Sequence, residues 1–105
     1  TLRLTRPLSP RDVRVDPAHP LTQPGYPAAS VRGEEQGVVV LELNVGVDGR
    51  VLQARVAQSS GYPRLDAAAV REALRRWRML PATENGQPVA AWIRERVSFR
   101  LQDAY

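Results

Sequence analysis

Few side chains in this sequence could do chemistry, and most of them lack the partner that their chemistry requires. Ser59-Ser60-Gly61 suggests a nucleophile loop. A serine attacks only when a general base takes its proton, and the single histidine, His19, stands far upstream in a proline-rich stretch. No strand-to-helix elbow of the kind that presents a catalytic serine surrounds the loop. With no Cys and no Lys, the chain forms no thiolate, disulfide or Schiff base, and one histidine builds no multi-His metal centre. His19 itself, between Ala18 and Pro20, reads as a solvent-facing linker residue. The expectation is a protein that is not an enzyme and has no catalytic residue, cofactor or metal.

The charged residues offer recognition instead. All fifteen positive side chains are Arg, against eleven acidic ones, for a net charge of +4. Arg75-Arg76-Trp77-Arg78 has the basic, aromatic-interleaved character of a nucleic-acid footprint. The same residues are explained by the solvated end of a helix, and the scattered carboxylates dilute a phosphate-binding field, so no nucleic-acid partner is expected. Arg94, Arg96 and Arg100 instead fall on one face of a strand with Trp92, which is placed to stack on Arg, cap a dimer contact or lie beneath the N-terminal segment.

The elements that must position these residues can be read from periodicity. A length of 105 residues suits one domain, and 43% hydrophobic with 25% charged residues suits a water-soluble one. There is no apolar run of about eighteen residues and no initiator Met, so the chain reads as a fragment or processed domain, and any membrane anchor would lie upstream. Six of the nine prolines fall within the first twenty-seven residues. Residues 1–22 therefore read as a proline-rich linker end, with Val13 and Val15 able to dock, and residues 23–105 as the folded domain.

Pro27 to Arg32 predicts a short helix ended by Gly33. Val38 to Val47 alternates, with Val39, Leu41, Leu43, Val45 and Val47 on one face. Asp48-Gly49 predicts a two-residue hairpin turn into a second strand through about Gln58, with Leu52, Ala54 and Val56 on one face. Leu65, Ala69, Val70, Ala73, Leu74 and Trp77 form an amphipathic stripe that ends before Pro81, which makes Trp77 a core residue. After a turn at Asn85-Gly86, alternation runs from Val89 to Leu101, long enough at about 3.3 Å per residue that part of it should overhang or bend.

These elements predict an α+β fold. A three-stranded, antiparallel-type sheet in β-β-α-β order, its first strand central, has one long helix on one face and a short helix at the N-terminal side. The last strand is then an edge, with an unpaired row of N–H and C=O groups.

Four stretches in this order carry a resemblance: Gln23-Pro24-Gly25-Tyr26-Pro27; Gly37-Val38-Val39-Val40 with Val47-Asp48-Gly49-Arg50-Val51; Ser59-Ser60-Gly61 with Leu65-Asp66-Ala67-Ala68; and Arg75-Arg76-Trp77-Arg78-Met79-Leu80-Pro81-Ala82 with Gly86-Gln87-Pro88-Val89. Over roughly Gln23 to Leu101 the chain resembles the TonB C-terminal domain family. The resemblance implies a periplasmic domain that follows an inner-membrane helix and a proline-rich spacer. It further implies transmission of energy from a proton-driven ExbB–ExbD complex to outer-membrane receptors, for uptake of siderophores, cobalamin or similar nutrients.

In that family the domain adds a receptor's TonB box as a strand beside its own last strand, a case of β-augmentation. Carried over by position, the partner-binding residues are Gln23, Tyr26, Arg94, Glu95, Arg96, Val97, Ser98, Phe99, Arg100 and Leu101. The pairing strand would be Glu95 to Leu101, through the backbone of Arg96 to Arg100. Tyr26 also has a structural reading, in which Tyr26-Pro27 packs the chain onto the domain and starts the short helix. A homodimer paired through the same edge is the alternative to receptor binding.

Overall fold

The computed structural model describes residues 13–104. The reading of residues 1–12 as part of an extended lead-in lies outside them. In chain order the elements are β1 (Arg14–Val15), α1 (Ala28–Arg32), β2 (Gly37–Val45), β3 (Val51–Gln58), α2 (Pro63–Arg76), β4 (Met79–Leu80), β5 (Ala82–Glu84), β6 (Gln87–Val89) and β7 (Ala91–Phe99), closed by a 3-10 turn over Leu101–Ala104. The main sheet has the order β3-β2-β7 with both pairings antiparallel, so the fold is α+β with β2 central, as the periodicity predicts.

Alternation makes β2 the floor of the core: Val39, Leu41, Leu43 and Val45 are fully buried. Val47, placed on the same face by periodicity, lies past the strand end and is 57% exposed. The chain leaves the ladder earlier because the hairpin connection is longer than two residues. The Gly49 N–H donates to the Gly46 carbonyl (3.0 Å) and the Gly46 N–H to the Arg50 carbonyl (2.8 Å), which encloses Val47-Asp48-Gly49. Only Gly49 takes a positive φ, +85°. This is the three-residue connection with a left-handed last residue, held by the Arg50 N–H on Asp48 Oδ1 at 3.0 Å. The two-residue turn is found instead at Asn85-Gly86, where both φ values are positive and β5 folds back on β6.

α2 begins with Pro63 in its first turn and packs Leu65, Ala68, Ala69 and Ala73 against β2 and β3. Trp77 sits just beyond its last residue, buried, and its indole N–H donates to the Thr22 carbonyl (2.9 Å). Leu74 departs from the expected stripe and is 46% exposed.

The run expected from Val89 to Leu101 is interrupted at Ala90 and ends at Phe99, so β7 has nine residues. Two short ladders escaped the sequence reading. One is the β5–β6 hairpin. The other pairs β1 with β4 and docks the N-terminal segment, with Val13 in the core and Val15 half-open on the ladder. No helix among the described residues is long and apolar enough to cross a membrane.

Candidate functional site

β7 pairs with β2 from Gly37↔Phe99 to Val45↔Ala91, and among the described residues no strand lies on its other side. One contact fixes which backbone groups face outward: the Gln23 carboxamide Nε2 donates to the Ser98 carbonyl (2.9 Å). A carbonyl reached from the edge points away from β2. In an antiparallel ladder neighbouring residues turn their polar groups to opposite sides. Arg94, Arg96 and Ser98 therefore offer their N–H and C=O outward, whereas Glu95, Val97 and Phe99 turn theirs toward β2.

The backbone set expected from sequence thus divides in two. Arg100 and Leu101 fall outside the ladder altogether. The Arg100 carbonyl accepts the Asp103 N–H (2.9 Å), and the Leu101 N–H donates to Gln36 Oε1 (3.1 Å). A 3-10 turn replaces the ladder over Leu101–Ala104, where these groups bond to Asp103 and Gln36. Gln36 is a residue that sequence reasoning missed, and no periodicity marks it.

Side chains along β7 also alternate. Val97 and Phe99 are buried on the helix side, with Ile93 and Glu95 half-buried on that same face. No side chain or backbone group among the described residues hydrogen-bonds the Glu95 carboxyl, and burial pushes it up from the ordinary value. On the outer face Arg94 bonds Glu42 (Nη2 3.0 Å, Nε 3.2 Å), and Glu42 also accepts from Arg55 Nε at 2.7 Å. Arg55 first, and Arg94 second, hold the Glu42 carboxyl below its usual range. The same Arg55 guanidinium lies 4.3 Å from the Trp92 ring centre, so Trp92 stacks on an arginine from β3 rather than on its neighbours in β7. Arg96 and Arg100 are exposed and take no ion pair among the described residues.

Tyr26 lies edge-on to Phe99, with ring centres 5.4 Å apart and planes at 87°, and its hydroxyl donates to the Glu35 carbonyl. Glu35 is clasped by Arg64 of α2 (Nη2–Oε2 2.9 Å, Nε–Oε1 3.4 Å), which holds its carboxyl below the usual range. The structural reading of Tyr26 therefore has its own geometry: the ring packs at the end of β7 and the hydroxyl ties α1 to the start of β2.

The Ser59-Ser60-Gly61 loop serves the fold. Asp66 accepts the Ser59 hydroxyl (2.5 Å), the Ser60 hydroxyl (2.7 Å) and the Ser60 N–H (2.9 Å), fastening the loop to the first turn of α2. No group of three or more His, Cys, Asp or Glu among the described residues could hold a metal ion.

A helix-covered, three-stranded sheet with an open, arginine-bordered last strand, met at that edge by the segment before α1, defines a small α+β domain built around an accessible strand. Residues 22–101 match the family described as Gram-negative bacterial TonB protein C-terminal, and the chain belongs to it. It is 38% identical over 81 residues to Protein TonB of Xanthomonas campestris pv. campestris, an alignment covering 77% of this chain and 36% of that protein. It is 35% identical over 78 residues to Protein tonB2 of Pseudomonas aeruginosa, covering 74% of this chain and 28% of that one. Over 49 residues it is 47% identical to Protein TonB of Neisseria gonorrhoeae, covering 47% and 17% respectively. The chain thus spans little more than a third of the relatives' length at most.

Proposed function

We propose that this domain is the receptor-coupling end of a TonB-type energy transducer. It works in the periplasm, tethered to the inner membrane through a segment outside this chain, and captures the TonB box of outer-membrane transporters by adding it as a strand to β7. Through that pairing it passes on energy from an ExbB–ExbD complex to drive uptake of siderophores, cobalamin or similar nutrients. Its work is mechanical and not catalytic.

The observation that carries this reading is the open edge, where Arg94 and Arg96 each offer one donor and one acceptor outward and Ser98 a donor, its carbonyl being held by Gln23. A strand held by several such bonds resists force along its length because they must shear together. Gln23 already touches this edge at Ser98, which supports its role as a contact to the added strand, and Tyr26 supports the same corner by packing on Phe99. Self-pairing through β7 is less favoured, because two copies would bring Arg94 and Arg96 against the same residues of their partner.

Arg96→Pro tests the proposal. It deletes an outward N–H on an edge strand, where proline is tolerated, and leaves the buried face intact. Affinity for a TonB-box peptide should fall about tenfold or more, the worth of one lost hydrogen bond, with the circular dichroism spectrum preserved. Unchanged affinity in a folded variant would refute the proposal.

A further inference from the structure

A strand added to β7 carries two lanes of side chains, one on each face of the sheet. The outer lane runs beside Arg94 and Arg96. The helix-side lane runs beside Ala91, Ile93, Glu95, Val97 and Phe99, and four of these five are apolar. Glu95 stands at the centre of the five and pairs across β2 with Leu41, which is fully buried.

The main sheet has one other carboxylate, Glu42, and it is held by Arg55 and Arg94 on the outer face. Glu95 has no such partner. Arg94 and Arg96 flank it in sequence but lie on the opposite face, so the half-buried carboxyl is left without a bond among the described residues. An inward-turned charge on an edge strand keeps wrong strands away, because a purely apolar neighbour would seal it unpaired. The same charge can select a right one.

We infer that Glu95 sets the specificity of the β7 edge, by favouring segments that place a hydroxyl residue, threonine or serine, beside it and apolar residues two positions to either side. The inference rests on strand addition to β7 and names what the added strand must carry. Facing side chains of adjacent strands have Cβ atoms about 5 Å apart, which brings a hydroxyl within reach of the Glu95 carboxylate. Threonine suits the place best, since it favours strands and its methyl group continues the apolar lane between Ile93 and Val97. A second copy of this chain supplies no donor. Antiparallel self-pairing about a two-fold axis would set the lane against the same five residues of the copy, and none of their side chains donates at neutral pH.

The test compares two synthetic peptides of nine residues, the length of β7, by nitrogen-15 NMR titration of the 105-residue chain. The first alternates Val with Asp, so that Val enters the helix-side lane and Asp lies beside Arg94 and Arg96. The second has Thr in place of the central Val. The two side chains share a shape and Val is the more apolar, so a preference for Thr reports the hydroxyl. The Thr peptide should bind about tenfold more tightly, the worth of a hydrogen bond to a charged group, with amide shifts along β7. In Glu95→Val the preference should vanish or reverse, and the wild-type comparison decides the matter even where that variant does not fold. Equal binding by the wild type, tighter binding of the Val peptide, or a Thr preference that survives Glu95→Val would overturn the inference and leave strand addition standing. So would a TonB-box peptide that shifts β7 where neither of the two does. If the TonB-box peptide also leaves β7 unmoved, the coupling role falls together with the inference.

Discussion

Gly49 ends the β2–β3 connection with a left-handed φ, and a Cβ built there would lie 2.1 Å from the Met79 carbonyl oxygen. That approach is not incidental, because the Met79 N–H donates to the Gly49 carbonyl (2.8 Å) and anchors β4 across the hairpin tip. Gly61 also has a positive φ, +99°, with open space where a Cβ would go. The pair separates conformational cost from steric cost. Gly61→Ala should lose about 1 kcal/mol from backbone strain alone, and Gly49→Ala more than about 2 kcal/mol because β4 must also move. Urea unfolding midpoints measure both, and equal losses would show that the Met79 contact is not what demands glycine.

Among elements, the loop and first turn before α2 depend on one carboxylate. Burial pushes the Asp66 carboxyl up, but the Ser59 hydroxyl, the Ser60 N–H and the Ser60 hydroxyl outweigh it and hold it below its ordinary value. Asp66→Asn should cost about 1–2 kcal/mol at neutral pH, in the range of a lost helix cap or charge-assisted bond, read as a lower urea midpoint. No change would mean that the serines hold the loop without it.

The major elements were legible because each is long enough to display a period: β2, β3, α2 and the body of β7 follow the alternation or the helical stripe. β1, β4, β5 and β6 were not, because two or three residues carry no period, and their pairing rests on contacts distant in sequence such as Arg14↔Leu80. The break at Ala90 was hidden because the apolar alternation passes across it unbroken, from Val89 to Ala91. At the candidate site, the open edge and the place of Gln23 beside it were legible. The phase of the backbone groups was not, since only the Gln23 contact to the Ser98 carbonyl reveals it. Leu74, placed on the apolar stripe of α2, is exposed all the same, because helical spacing tells which side chains share a face and not how far the sheet extends beneath them.

At the scale of the whole molecule, the carboxylates divide into two opposed sets that shape stability against pH. Asp16, Glu35, Glu42 and Asp66 are all held below their ordinary values. Their stabilising bonds are fully present above about pH 4, where the unfolded chain's carboxyls are ionised, and are lost as pH falls through the lower folded values. Glu95, raised by burial on the helix-side face of β7, acts in the opposite sense. Its contribution is complete below the ordinary glutamate value of about 4.3 and is lost as pH rises through its higher folded value. On acidification from neutrality, the urea midpoint should first rise slightly as Glu95 takes a proton, and then fall below about pH 4 as the four held carboxylates are neutralised. Glu95→Gln should remove the initial rise and leave the acid limb in place, because it replaces a buried charge with a neutral group of the same shape. A wild-type midpoint that falls steadily from pH 6 with no rise, or a variant that keeps the rise, would show that Glu95 is not the group acting on the upper limb.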